Sequence, residues 1–355
     1  MEGRGEQSNP VEVMIASPLE EELVRELEGV SSRIEVLYEP DLLPPPRYPS
    51  DHRGDEGFRR DAAGERRWEE MLARAEVLFG VPGESAGGLA DAVQRAPSLR
   101  WLQATSAGAG EQVRGANLSR EELERVTFTT ASGVHAVPLA EFCLLGILTF
   151  AKDLPRLERD KSQRRWDHYP TRELRGGTVL IVGVGEIGVE VARLARCFGM
   201  HTVGLKRRTG GPIPHVDEVQ SQNALKELIP RADAVVVTLP LTQETEGMID
   251  REAVGLMRPE SVFVNVGRGG VVDEAALTAA LEEGRIAGAA LDVFEKEPLP
   301  SDSPLWSLPN VLLSPHTAAL AESENQRIVE LFKENLRCYL DGEPLRNRVE
   351  PGVFY

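Results

Sequence analysis

Thr178 to Gly188 reads TVLIVGVGEIG. Val179 to Val182 form a short apolar run rich in β-branched residues; the run breaks on Gly183, Gly185 and Gly188, and helical spacing resumes from Val189 to Phe198. The pattern is strand, tight turn, helix. Its glycines have separate tasks: Gly183 makes the turn, Gly185 lets a pyrophosphate approach the backbone, and Gly188 lets the helix pack closely on the strand. The N–H groups that open the helix, around Glu186 and Ile187, suit an anion. An ordinary strand-to-helix turn would share these glycines, but a second strand at residues 202–205 completes the setting of a dinucleotide site.

Downstream of this motif the alternation continues. Apolar runs at residues 234–238, 262–266, 288–291 and 311–314 read as strands, with helices at 223–229, 251–257 and 273–283 between them. Right-handed crossovers then give a doubly wound parallel sheet. Upstream, strands at 11–16, 34–37, 77–79, 101–105 and 126–130 alternate with helices at 18–27, 68–75 and 88–95, a second β/α domain. Residues 1–10 read as a disordered leader. Residues 39–67, with Pro44, Pro45, Pro46 and Pro49 followed by mixed charges, read as a long mobile surface loop. An apolar helix at 138–152 is expected to be buried, against another subunit, and 153–175 to form a charged arm. A boundary falls near residue 132. One helix at 323–340 and a short tail follow His316; too small for a domain, they are expected to pack back on the N-terminal unit.

A chain of 355 residues is long enough for two domains with large cores. Cys143, Cys197 and Cys338 are odd in number, widely spaced and set in apolar helical patterns, which points to buried thiols in a reducing, cytoplasmic setting and not to a disulfide framework or zinc site. The N-terminal residues MEGRGEQSNP contain no apolar signal core, and no stretch of about eighteen uncharged apolar residues occurs, so neither secretion nor membrane spanning is expected. The formal net charge of −17 disfavours nucleic-acid binding, which needs a clustered basic surface.

Candidate chemistry collects where strands end. Ser106-Ala107-Gly108-Ala109-Gly110 follows the 101–105 strand, either a loop whose N–H groups hold a carboxylate or a plain turn. Arg268 stands in Asn265-Val266-Gly267-Arg268-Gly269-Gly270, a strand end followed by glycines, from which a guanidinium could bind a carboxylate bidentately. Glu297 follows Leu291-Asp292-Val293-Phe294, and His316 follows the last strand. A Glu beside a His suits a proton donor.

These residues, in order, carry a resemblance. The chain is similar to the D-isomer-specific 2-hydroxyacid dehydrogenases, which include glyoxylate/hydroxypyruvate reductases and D-lactate and D-phosphoglycerate dehydrogenases. The shared stretches are Ser106 to Gly108, Gly133 with Ala140-Glu141, Leu174-Arg175-Gly176 into GVGEIG, Leu239-Pro240-Leu241-Thr242, NVGRGGVVDEAAL (Asn265 to Leu277), LDVFEKEP (Leu291 to Pro298) and PNVLLSPH (Pro309 to His316). The resemblance implies an α/β chain of two Rossmann-like doubly wound domains with a cleft between them: a discontinuous substrate domain, 1–132 plus 317–355, and a nicotinamide dinucleotide-binding domain, 133–316. It implies Arg268, Glu297 and His316 as catalytic residues, Ala107 and Gly108 as substrate-binding backbone, and Leu239, Pro240, Val266, Gly267 and Asp292 beside the cofactor. The reaction implied is hydride transfer between NAD(P)H and a small 2-oxo acid, with no metal, in a homodimer. Transcriptional corepressors also resemble this family, so an NAD(P)-sensing binding protein is the alternative.

Two departures stand out. Thr317-Ala318-Ala319 replaces the glycines frequent after the histidine. NAD-specific members have an acidic residue at the second strand's end for the ribose hydroxyls, whereas this chain has Lys206-Arg207-Arg208, three cations suited to a 2′-phosphate. NADP is therefore expected as the preferred cofactor over NAD.

Overall fold

The computed structural model describes residues 10–207 and 210–350. The expected leader, except Pro10, lies outside the described residues, as do Arg208 and the last five positions. The chain divides into two compact units, Met1–His135 with Leu320–Tyr355, and Ala136–Ala319.

The first unit runs β1 (Val11–Ile15), α1 (Glu21–Glu28), β2 (Ile34–Leu37), α2 (Ala62–Arg74), β3 (Val77–Phe79), α3 (Ala86–Arg95), β4 (Trp101–Gln103), α4 (Ala109–Gly115), α5 (Arg120–Arg125) and β5 (Thr127–Thr129). Its sheet is parallel, in the order β2-β1-β3-β4-β5. Successive side chains of a strand face opposite sides, so Val13, Val77, Phe79 and Trp101 enter one core while Met14, Leu78 and Leu102 enter the other. A parallel sheet buried on both faces accounts for strands that read as continuous apolar runs.

The second unit runs α6 (Ala136–Ala151), α7 (Leu154–Ser162), β6 (Thr178–Val182), α8 (Glu186–Cys197), β7 (His201–Lys206), β8 (Glu218–Ser221), α9 (Leu225–Leu228), β9 (Ala234–Val237), α10 (Arg251–Gly255), β10 (Val262–Asn265), α11 (Glu274–Glu282), β11 (Gly288–Leu291) and β12 (Val311–Leu313). Its seven parallel strands lie in the order β12-β11-β10-β9-β6-β7-β8, so the order reverses at β6. α6 packs on this unit's own sheet: a Cβ on Gly146 would come within 2.4 Å of the Ala290 Cβ on β11. The last helix, α12 (Glu324–Asp341), belongs to the first unit, where Phe332 stacks on Trp101 at 4.8 Å and meets Phe79 edge-on at 5.1 Å. The following tail stays with that unit through the Val349 N–H, which donates to the Phe128 carbonyl at 2.9 Å.

The structure corrects two readings. Of the three cysteines expected as buried thiols only Cys143 is buried; Cys338 is half-buried and Cys197 is exposed. Residues 39–67 are not a bare excursion. A 3-10 turn forms at Pro40–Leu42, α2 begins at Ala62, and Leu42, Leu43 and Asp51 are buried. Asp51 organises the segment, accepting from the Arg47 N–H and guanidinium and from the Gly54 N–H. The Arg47 guanidinium holds the Asp51 carboxyl down at about 2. Arg60 lies 3.8 Å over the Trp68 ring. Among the described residues no helix is long and apolar enough to cross a membrane.

Candidate active site

The glycine turn has the geometry that its sequence requires. Gly183 adopts φ 108°, in the left-handed half of the map, and a Cβ on Gly188 would lie 2.1 Å from the Gly183 carbonyl oxygen. Only hydrogen fits at either position. Gly185 is different: a Cβ there would meet nothing within 4 Å, so open space lies above the backbone where α8 begins. No side chain caps that helix start. An uncapped helix N-terminus below an open glycine fits a dinucleotide's pyrophosphate, and the Glu186 and Ile187 amides belong to this first turn.

The ends of the flanking strands close around the turn. The Thr238 hydroxyl donates to the Gly183 carbonyl at 2.6 Å, and a Cβ on Gly267 would lie 2.5 Å from the Leu239 carbonyl oxygen. The Leu239-Pro240 and Val266-Gly267 backbones are thus brought together beyond β9 and β10. At the end of β7, Lys206 is exposed, and Arg207 pairs with Glu244 at 3.0 Å.

Beyond β10, the Asn265 side chain accepts from the Gly267 N–H at 3.0 Å and donates to the Arg268 carbonyl at 3.2 Å, fixing the strand-end turn from both sides. The Arg268 guanidinium donates to the Gly267 carbonyl at 2.8 Å. A Cβ on Gly269 would fall 1.9 Å from the Phe294 carbonyl carbon, so this turn runs directly against the loop after β11. In that loop the Phe294 N–H donates to Glu297 Oε1 at 3.0 Å, while Glu297 Oε2 lies 2.8 Å from His316 Nδ1. Both carboxylate oxygens are engaged. With Nδ1 held by Glu297, Nε2 is the ring nitrogen outside that contact, and the side chain is 47% exposed.

His316 sits at φ 57°, a left-handed conformation unusual for a side chain with a Cβ. Asp292, 1% exposed, holds it there. Its Oδ1 accepts from the Ser314 hydroxyl at 2.6 Å and from the Thr317 and Ala318 N–H groups at 2.9 and 3.0 Å. The family resemblance implies a place beside the cofactor for Asp292; its hold on this turn is legible from no motif, because the donors are 22 to 26 residues away. Ala107 and Gly108 lie in the first unit, between β4 and α4, which Gly108 N-caps. Among the described residues no group of three or more His, Cys, Asp and Glu side chains could hold a metal.

With this geometry in place, comparison with known proteins is decisive. Glyoxylate reductase of Korarchaeum cryptofilum is 34% identical over 275 residues, covering 74% of this chain and 80% of that protein. The model of the D-isomer specific 2-hydroxyacid dehydrogenase NAD binding domain matches residues 144–318. The chain belongs to the D-isomer specific 2-hydroxyacid dehydrogenase family. Within that family, the D-isomer specific 2-hydroxyacid dehydrogenase of Xanthobacter autotrophicus Py2, solved with NADPH and MES, superposes with a TM-score of 0.75 at 29% identity, covering 98% of this chain and 100% of that one. D-3-phosphoglycerate dehydrogenase of Methanocaldococcus jannaschii is 32% identical over 79% of this chain, but the chain spans only 53% of that relative's length. As a 2-hydroxyacid dehydrogenase the chain is an NAD(P)-dependent oxidoreductase; nothing in these likenesses supports the corepressor-like alternative.

Proposed function

We propose that this dehydrogenase reduces small 2-oxo acids such as glyoxylate or hydroxypyruvate to the corresponding 2-hydroxy acids, of D configuration where C2 is a stereocentre, and can run in reverse. The observation that carries this reading is the Glu297–His316 pair, joined at 2.8 Å through Nδ1, which leaves Nε2 outside that contact. The nicotinamide, when bound, supplies the hydride that reaches the substrate's C2. The Nε2–H of His316 gives its proton to the oxygen forming at C2, and takes it back in the oxidative direction. Glu297 orients the ring through its contact with Nδ1. Arg268 binds the substrate carboxylate and polarises the adjacent carbonyl, with the Ala107 and Gly108 amides as further candidate donors.

The domain roles follow: residues 1–132 with 317–355 as the substrate side, and 133–316 as the dinucleotide side. Lys206, Arg207 and Arg208 support NADPH as the preferred cofactor. A homodimer is supported by apolar side chains exposed on α6 and α7, and a reducing cytoplasmic setting by three cysteines that remain unpaired. The test is a panel of 2-oxo acids assayed with NADPH and NADH. Turnover of glyoxylate or hydroxypyruvate is expected; no turnover of any 2-oxo acid with either cofactor would refute the assignment.

A further inference from the structure

The acidic residue missing from the end of β7 is supplied from elsewhere. In the sheet, β6 lies between β7 and β9. Arg207 immediately follows β7, and Glu244 stands in the turn after β9. Their ion pair at 3.0 Å therefore spans the carboxyl end of β6, where the glycine turn begins. Glu244 stands on a fixed base. The buried Thr245 hydroxyl donates to the Pro240 carbonyl at 2.6 Å and accepts from the Thr242 N–H at 2.8 Å, while the Gly247 N–H donates to the Gly270 carbonyl at 2.9 Å. A carboxylate and a guanidinium thus meet where cofactors with and without a 2′-phosphate differ. The two groups have opposite preferences. A guanidinium matches a phosphate, whereas a carboxylate accepts from ribose hydroxyls and repels a phosphate dianion.

We propose that Glu244, paired with Arg207, limits discrimination between NADPH and NADH: it serves the ribose hydroxyls of the unphosphorylated cofactor and opposes the 2′-phosphate of the other. Both side chains are exposed, so the pair itself is weak and a phosphate displaces it readily. The preference is then set by which partner Arg207 takes. This inference rests on the reading of Lys206, Arg207 and Arg208 as a 2′-phosphate site.

The test is direct binding without substrate, following NADPH and NADH fluorescence on titration of the wild-type protein and of the Glu244→Gln and Arg207→Gln variants. Glu244→Gln should tighten NADPH and weaken NADH, raising their affinity ratio roughly tenfold, the scale of one charged contact. Arg207→Gln should lower the ratio by a similar factor. An unchanged ratio in Glu244→Gln, or equal shifts for both cofactors, would overturn the role of Glu244; if that variant does not fold, a ratio unchanged in Arg207→Gln does so. A wild-type preference for NADH would instead refute the phosphate-site reading, and the change on substitution would still report on Glu244.

Discussion

At the scale of single residues, the arrangement assigns separable jobs to groups that touch one another. His316 is the proposed proton donor, Glu297 holds its Nδ1, and Asp292 holds the Ser314 hydroxyl before the ring and the Thr317 N–H after it. Replacing His316 with Gln removes the proton donor, so kcat for 2-oxo acid reduction should fall by about a hundredfold to ten-thousandfold. Glu297→Gln keeps the shape and removes the charge, so it should cost less, roughly tenfold to a hundredfold, in kcat. Because Glu297 positions the ring without holding the substrate, KM should move by less than about threefold. Steady-state kinetics on the two variants check this split. A Glu297→Gln protein whose loss lies in KM would place that carboxylate in substrate binding. The Arg268, Glu297 and His316 positions were legible because each follows a strand of a parallel sheet, whose carboxyl edge is known once strands and direction are read. The Arg207–Glu244 pair was not. It joins residues 37 apart, and their meeting depends on strand order, which local pattern does not encode.

At the scale of elements, strands that carry an apolar run were read well and those without one were not. β2 and β11 stand where the β-branched and small apolar runs place them. β8 escaped notice because none of its residues is buried, so its sequence, EVQS, shows no apolar signal. The ordered part of 39–67 was hidden for a related reason: its organiser is a carboxylate, not an apolar side chain. Its effect on stability depends on pH in a defined direction. Arg47 holds Asp51 at about 2, below the unfolded value near 3.9, so its contribution is complete above that unfolded value and is lost as pH falls toward 2. Asp51→Asn should lower Tm by about 2–4 °C at pH 6, and the gap should narrow as pH drops below about 4. Melting curves across pH test this, and a gap that persists undiminished at pH 2.5 would contradict it. The contact between α6 and β11 gives a second prediction. Gly146→Ala improves helix propensity by about 1 kcal/mol, but the new methyl would lie 2.4 Å from the Ala290 Cβ. Overpacking of that kind costs about 1–3 kcal/mol, so chemical denaturation should show net destabilisation; a more stable variant would mean that the helix shifts without cost.

At the scale of the whole molecule, the distribution of exposed apolar side chains argues for self-association. Ten large hydrophobic residues are exposed among those described, and five of them, Val137, Leu145, Leu154, Leu157 and Trp166, fall within a stretch of thirty residues. Trp166 is 90% exposed. Scattered single apolar residues need no partner; the concentration of five in this stretch is what supports the proposed dimer. The buried side of α6 is occupied by its own sheet, so the expectation of a helix wholly buried against another subunit is narrowed to its outer residues. Charge opposes the union, since each chain carries a formal −17. Two such chains repel over distances comparable to the Debye length, about 10 Å at 0.1 M salt and 30 Å at 0.01 M. Dimerisation should therefore strengthen as salt rises, the reverse of an assembly held by ion pairs. Multi-angle light scattering should give twice the 38.9 kDa chain mass at physiological salt, with dissociation first seen at low salt and low micromolar concentration. Leu145→Glu adds charge at an exposed apolar position of α6 and should shift the mass to that of one chain, while leaving the core of the second unit folded. A monomer at every salt concentration would remove the dimer, and a Leu145→Glu protein that stays dimeric would move the interface elsewhere.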